Sequence, residues 1–519
     1  MTKQKKYALI SVYDKTGVVA FTKTLVQLGY DIITTGGTAK TLQTAQIPFI
    51  PIQEITGNPE SFDGRMKTIS FQIESGILYD RTNKKHIKEA KTLDIKPIDI
   101  VVCNLYPFEE TVKKTQVTLA DAIENIDVGG PTMVRSAAKN FKNVLVVVDP
   151  KDYARVSSAF ENKTDDDTLR RELAAKAFGH LSFYDAQIAN YLRLEPFPRE
   201  FVLAGRKVTD LRYGENPHQK AAVYVRPDVQ TPFNKLQKLW GRDLSLINIT
   251  DINAGLESVR VFTEPAAVVI KHNSPCGIGL GKTSAEALSN AIESDPESAF
   301  GGIIVLNKPM DLQTAQVIGA FKDAKRGNMD IVAVPEIDEN ALSFLQNVRK
   351  TMGIYSFGII PADADLINIK WIDGGFIIQS SDLGTESSCK DWQVVTKKKP
   401  TNQQLHQMKI GWKFVTRIKS NTIVVMDKSL PMTRGIGAGQ TSRVRSARIA
   451  LEQAGEHTKG GVLVSDSFFP FPDSIELAVK SGIVAVVQQG GSINDKASIE
   501  VADKAGIPMI FTGRRAFWH

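Results

Sequence analysis

The chain has 519 residues, enough for three to four domain-sized units, and its 42% apolar and 23% charged content is ordinary globular usage that excludes disordered, collagen-like and disulfide-scaffold proteins. Basic residues exceed acidic ones by 64 to 57, a net charge of +7. The runs Lys84-Lys85-His86-Ile87-Lys88 and Lys397-Lys398-Lys399 lack interleaved aromatics, so they read as solvated faces rather than a nucleic-acid surface. No stretch of about 18 uncharged apolar residues occurs, Asp14 interrupts the N-terminal apolar run, and Cys103, Cys276 and Cys389 lack paired spacing. A cytoplasmic enzyme without membrane partner, metal or disulfide framework is expected.

From Tyr7 the hydrophobic pattern alternates between a strand at 7–12, a helix at 18–28, a strand at 31–34 and a helix at 39–45. Runs at 98–103 and 144–148 are nearly all apolar, as in parallel strands covered on both faces, so this region is α/β. A helix ending near Leu194 meets Glu195-Pro196-Phe197-Pro198 and cannot continue, which places a domain boundary near 200, dividing residues 1–199 from 200–519. Beyond it a strand at 266–271, a helix at 284–294 and strands at 302–306 and 331–334 are followed by strands at 422–426, 460–465, 483–488 and 509–512. Two related halves meeting near 370–400 are expected, without a visible fixed-period repeat.

Thr34-Thr35-Gly36-Gly37-Thr38-Ala39-Lys40 follows a predicted strand and opens a helix, where unpaired N–H groups and glycine-permitted close approach suit a phosphate; a plain turn with a threonine N-cap is the alternative. Asp127-Val128-Gly129-Gly130-Pro131-Thr132 repeats that pattern. Two other glycine runs fail as nucleotide motifs. Cys276 stands where a P-loop before Gly277-Ile278-Gly279-Leu280-Gly281-Lys282-Thr283 needs glycine, and Gln440 breaks the dinucleotide pattern of Gly435-Ile436-Gly437-Ala438-Gly439. Lys271-His272 ends an apolar strand just before Asn273-Ser274-Pro275, and that pair reads as acid/base equipment. Adjacent strand residues point to opposite faces, so both can serve one site only if the backbone bends there. Ser465-Asp466-Ser467-Phe468-Phe469-Pro470-Phe471-Pro472-Asp473 could stack a flat ring beside a carboxylate, or plug the core.

These motifs, together with Cys103-Asn104-Leu105-Tyr106-Pro107-Phe108, Arg212-Tyr213-Gly214-Glu215-Asn216-Pro217-His218-Gln219, Ser298-Ala299-Phe300-Gly301-Gly302 and Lys419-Ser420-Asn421, closely resemble the bifunctional purine-biosynthesis family from about residue 11 to 519. That family combines aminoimidazole carboxamide ribonucleotide (AICAR) formyltransferase with IMP cyclohydrolase. The resemblance implies a methylglyoxal-synthase-like α/β cyclohydrolase domain followed by two cytidine-deaminase-like α/β/α units without zinc, working as a homodimer. AICAR, formyl-AICAR and 10-formyltetrahydrofolate are the implied small-molecule partners.

By match to the family's motifs, His272 takes a proton from the AICAR amine and Lys271 stabilises the transition state. Arg212, Tyr213, Gly301, Asn421, Arg443, Phe468 and Arg515 are implied AICAR contacts, with Asp330 favoured over Asp323 as a further one. Val444, Asp473, Ser492 and Ile493 are the implied folate contacts. In the cyclohydrolase Lys139 is the implied proton donor and acceptor, with Lys67, Tyr106 and Asp127 around the reacting groups. Tyr13, Asp14, Lys15, Thr35, Gly36, Gly37, Thr38, Arg65, Thr68, Cys103, Asn104 and Val128 would line the nucleotide site. One departure stands out: Ser70 and Phe71 replace the family's His-Pro, and Glu74 stands where a later His is usual. An active formyltransferase with impaired cyclisation is therefore the alternative function.

Overall fold

The computed structural model describes residues 5–62, 64–114, 116–321, 327–361, 367–382 and 389–519. The chain divides into two compact units, 1–205 with 226–228, and 206–225 with 229–519. Among the described residues no helix is long and apolar enough to cross a membrane.

The first unit is built on five parallel strands, β1 Lys6–Val12, β2 Tyr30–Thr34, β3 Ile50–Pro51, β4 Ile98–Asn104 and β5 Leu145–Val147, in the order β3-β2-β1-β4-β5. Alternation along each strand sends Leu9, Val101 and Val146 into one buried cluster and Ala8, Ile10, Val102 and Val147 into another. Both faces are therefore covered, as the unbroken apolar runs require. The chain moves outward from β1 to β3 and then returns to the far side of β1 as β4. This reversal leaves a crevice outside the carboxyl ends of β1 and β4, the usual ligand position in open α/β sheets. The helix expected at 39–45 begins earlier, at Gly36, so the two glycines form its first turn.

In the second unit β6 Arg206–Asp210 and β7 Ala222–Val225 form a separate antiparallel pair. Strands β8 Gln237–Trp240, β9 Ala266–Lys271, β10 Ser274–Leu280, β11 Ile303–Leu306, β12 Ile331–Val334 and β13 Gly353–Ser356 form one sheet in the order β10-β9-β11-β12-β13-β8. A hairpin of β14 Ile367–Ile372 and β15 Gly375–Ser380 follows. The last sheet holds β16 Gln393–Val394, β17 Ile423–Met426, β18 Thr433–Gly437, β19 Val462–Ser465, β20 Ala485–Gln488 and β21 Met509–Phe511 in the order β16-β21-β20-β19-β17-β18. Read from the opposite edge, that order and its strand directions match the preceding sheet. Three parallel strands are flanked by an antiparallel pair on one side and a single antiparallel strand on the other. The repeat is one of topology.

The two discarded glycine runs occupy equivalent places in this repeat, on β10 and β18. Glycines at every second position clear one strand face, and a helix backbone lies directly on it. A Cβ on Gly277 would stand 2.2 Å from the Ala291 carbonyl oxygen, and one on Gly435 or Gly437 would stand 1.9 or 2.0 Å from those of Ala450 or Ser446. The period of two, which superficially resembles a phosphate loop, is a packing pattern. The two glycine strands also meet edge to edge. Gly279 bridges Met432 in antiparallel sense, Leu280 N donates to the Pro431 carbonyl at 2.9 Å, and Ile278 N donates to Thr433 Oγ1 at 3.1 Å.

Because the obstructing atoms are helix backbone, Gly435→Ala should destabilise the second unit by about 1–3 kcal/mol. Scanning calorimetry should show a lowered midpoint for that unit; an unchanged midpoint would contradict the packing.

Candidate active sites

In the first unit the carboxyl ends of β1 and β4 are tied by one side chain. Asn104 Oδ1 accepts from the backbone N–H groups of Tyr13 (2.7 Å) and Asp14 (2.9 Å), and its Nδ2 donates to the Asp14 carbonyl (3.1 Å). Hydrogen bonds from Thr16 hold the Asp14 carboxyl below the usual range. Thr38 braces the same strand end, accepting from Val12 N at 3.0 Å and donating to its carbonyl at 3.1 Å. Tyr106, exposed after β4, tilts against Tyr13 with ring centroids 5.2 Å apart.

Beside this frame the helix Gly36–Thr44 points its N-terminus at two ammonium groups. Lys67 Nζ lies 3.0 Å from where a Cβ on Gly36 would be, and Lys15 Nζ 3.5 Å from that of Gly37. Thr35, the extended N-cap, makes no capping bond, and its Oγ1 is buried without a partner. A leftover buried hydroxyl, free helix N–H groups and two cations fit an anionic group such as a phosphate.

A second helix N-terminus, of Gly129–Lys139, lies against Thr68, whose Oγ1 falls where a Cβ on Gly129 would be, at 2.3 Å. Asp127 accepts from Gly130 N at 2.9 Å, and its own N–H donates to the Tyr184 hydroxyl at 2.7 Å. Burial lifts the Asp127 carboxyl above its ordinary range, against the opposing pull of the Gly130 N–H and the Lys67 charge. Arg65 is ion-paired with Glu124, and Val128 is exposed at the helix start.

Two predicted residues stand apart. The Cys103 thiol lies in the core, where burial pushes it up, so any ligand contact there falls to its backbone. Lys139 is the last residue of its 11-residue helix, about 15 Å of rise from Gly129. Glu60, Glu124 and Tyr184 were not foreseen; no motif marks them.

Ser70 becomes the N-cap of the helix Phe71–Leu78, accepting from Ile73 N at 3.1 Å, while Phe71 points outward as its first residue. Serine stops the chain and starts the helix without a proline. Glu74, on that helix, accepts from Ser136 Oγ at 2.5 Å.

In the second unit the bend demanded at Lys271-His272 takes the form of a two-residue hairpin turn. Lys271 pairs with Ser274 across it, and His272 and Asn273 both adopt left-handed conformations, φ 55° and 58°. His272 is thus an exposed apex residue and not a strand residue, which removes the objection that the pair must face opposite ways. Lys271 Nζ donates to the Phe300 carbonyl at 3.0 Å. Gly301 N donates to Asn328 at 2.6 Å, and Asp330 forms an ion pair with Arg242 at 3.0 Å. Asp323 lies outside the described residues. Burial raises the neighbouring, partly buried Cys276 thiol to about 12.

Arg212 lies over the Tyr213 ring, 4.7 Å from its centroid, and donates to its hydroxyl at 3.0 Å. At the carboxyl ends of β19, β20 and β21 a further cluster centres on Asp466, which is buried and ion-paired with Arg443. Arg443 also reaches Ser465 Oγ at 3.3 Å and the Thr422 carbonyl at 3.4 Å. Asn421 pairs through its backbone with Gln440, and Ala516 N donates to Asp466 O at 2.8 Å, bringing Arg515 to the same end. Phe468 is held half-buried between Ser467, bonded to Gln489, and Phe469, whose N–H donates to Gln488. Asn494 Nδ2 donates to Pro470 O at 2.7 Å and ties the loop of Ser492 and the fully exposed Ile493 to the loop preceding Asp473. Val444 is the second residue of the helix Arg443–Ala454. Among the described residues no group of three or more His, Cys, Asp and Glu is placed to hold a metal ion.

The family model described as MGS-like domain matches residues 17–132, and that described as AICARFT/IMPCHase bienzyme matches residues 137–453. The chain is 44% identical over 518 residues to the bifunctional purine biosynthesis protein PurH of Oceanobacillus iheyensis, and 45% identical over 520 residues to that of Thermoanaerobacter sp. In each case 99% of this chain and 100% of the relative are covered. A solved protein described as "Crystal structure of ForH" matches 36% of this chain and 95% of its own at 32% identity and TM-score 0.33. The chain belongs to the AICARFT/IMPCHase bienzyme family.

Proposed function

We propose that the chain formylates AICAR in its second unit and closes formyl-AICAR to IMP in its first, the last two steps to IMP. Family membership across 99% of the chain carries this reading. The donor is 10-formyltetrahydrofolate. The AICAR amine attacks the formyl carbon, His272 takes the amine proton, and the carbon–N10 bond breaks as N10 regains a proton. The Lys271 ammonium, on the same turn, stabilises the negative charge that develops on the formyl oxygen. Arg212, Tyr213, Gly301, Asp330, Asn421, Arg443, Phe468 and Arg515 bind AICAR in this reading; Val444, Asp473, Ser492 and Ile493 hold the folate.

Ring closure joins two groups already on one molecule, so orientation and proton transfer are what the first unit must supply. The 5′-phosphate sits at the Gly36–Thr44 helix start between Lys15 and Lys67, with Thr35 and Thr38. The carboxamide nitrogen then attacks the formyl carbon and water leaves, with Lys67, Tyr106 and Asp127 at the reacting groups. Lys139 keeps the role of proton donor and acceptor on its match to the family's motif alone, from the far end of the helix Gly129–Lys139. The impaired-cyclisation alternative is not favoured, because Ser70 caps its helix and leaves Lys67 and Thr68 in place. A second copy of the chain covers the β14–β15 ribbon, where Trp371, Ile372 and Ile377 are exposed on strands too few to be stable alone. The protein works in the cytoplasm.

His272→Ala should lower formyl transfer by about 100- to 10,000-fold while supplied formyl-AICAR is still cyclised. Lys67→Met and Lys139→Met should do the reverse and accumulate formyl-AICAR. Parallel losses of both activities in any of these variants would contradict separate sites. Restoring His-Pro at positions 70 and 71 should change the cyclisation rate less than about threefold; a jump of about 100-fold, the scale of a 1 Å misplacement, would revive the impaired-cyclisation reading.

A further inference from the structure

We infer that Asp251 is the positioning residue that holds His272 in place for formyl transfer; this rests on the reading of His272 as the base. Asp251 is buried on the helix Leu246–Val259, whose Ile252 and Leu256 pack in the same core as Val268 and Ile270 of β9. A carboxylate in that setting is costly unless something bonds to it. What bonds to it is the catalytic turn. Asp251 Oδ1 accepts from the backbone N–H of Asn273 at 2.7 Å.

The side-chain amide of Asn273, with its nitrogen towards the helix, adds bonds to the Thr250 carbonyl at 3.0 Å and to Asp251 Oδ1 at 3.3 Å. The carboxylate also lies within electrostatic reach of His272 and of its backbone N–H. Two consecutive non-glycine residues in the left-handed region persist only where their surroundings hold them there. The bonds to Asp251 and Thr250 supply that hold. His272 makes its bend because its neighbour is pinned to a helix fixed against the strand, so a loosened turn would let the imidazole wander by the ångström that general-base geometry does not tolerate.

The test is a double-mutant cycle on the full-length protein. Asp251→Ala should lower kcat for formyl transfer by about 100-fold with the KM for AICAR changed less than about threefold, and leave cyclisation of supplied formyl-AICAR unaltered. Asp251→Asn, which keeps an oxygen acceptor for Asn273 N, should recover most of that loss. Asp251→Ala should have no further effect on His272→Ala, because it acts through that side chain. An unchanged kcat in Asp251→Ala, or multiplying losses in the double variant, would overturn the inference. If Asp251→Ala does not fold, Asp251→Glu, which displaces the acceptor by one methylene, takes its place in the same cycle with the same expectations. A fully active His272→Ala would instead overturn the reading of His272 as base.

Discussion

Close approach of helix backbone to strand backbone is the constraint on which the second unit depends. Gly277, Gly279, Gly435 and Gly437 leave no room for a Cβ, and each half of the topological repeat uses the same device at its edge pair. With those faces cleared, the helices Ser284–Ser294 and Arg443–Ala454 lie flat on β10 and β18. The strands then meet at Gly279 and Met432, and residues of both sheets share one buried cluster. The helix start that presents Arg443 is set by this packing, as is the hairpin that presents His272.

The two candidate sites solve different problems with different backbone tools. Ring closure starts from a single bound molecule, and the first unit offers two helix N-termini, a strand-end brace at Asn104 and flanking ammonium groups, an arrangement suited to an anion held in one orientation. Formyl transfer must move a proton as a bond forms, and the second unit offers an exposed histidine on a rigid turn with an ammonium beside it. The same topology is used twice in the second unit, with the candidate residues at opposite ends. Lys271 and Gly301 lie at the amino ends of β11 and β12, whereas Arg443 and Asp466 gather at the carboxyl ends of β19 and β20.

Much of the fold was legible because parallel strands buried on both faces leave apolar runs that nothing else explains; β1, β4, β12 and β20 all read that way. The glycine strands were not, since a glycine period of two looks like a loop until the helix lying on it is seen. At the sites the motif residues were legible as types, but their partners were not. Asp251, Glu124 and Tyr184 are single polar residues in ordinary helices, and they meet their partners across 22 to 59 positions of chain. The separation of Lys139 from Gly129 also required the helix: ten residues are near neighbours in sequence but far apart along a helix axis.

A chain that completes both reactions, with the Ser70-Phe71 start of its helix serving as well as the family's His-Pro, carries AICAR through to IMP without stalling at the intermediate. Mixing the purified protein with AICAR and 10-formyltetrahydrofolate, and resolving formyl-AICAR from IMP over time, tests it directly. IMP should appear with little accumulated intermediate. Formyl-AICAR building up without IMP would contradict it.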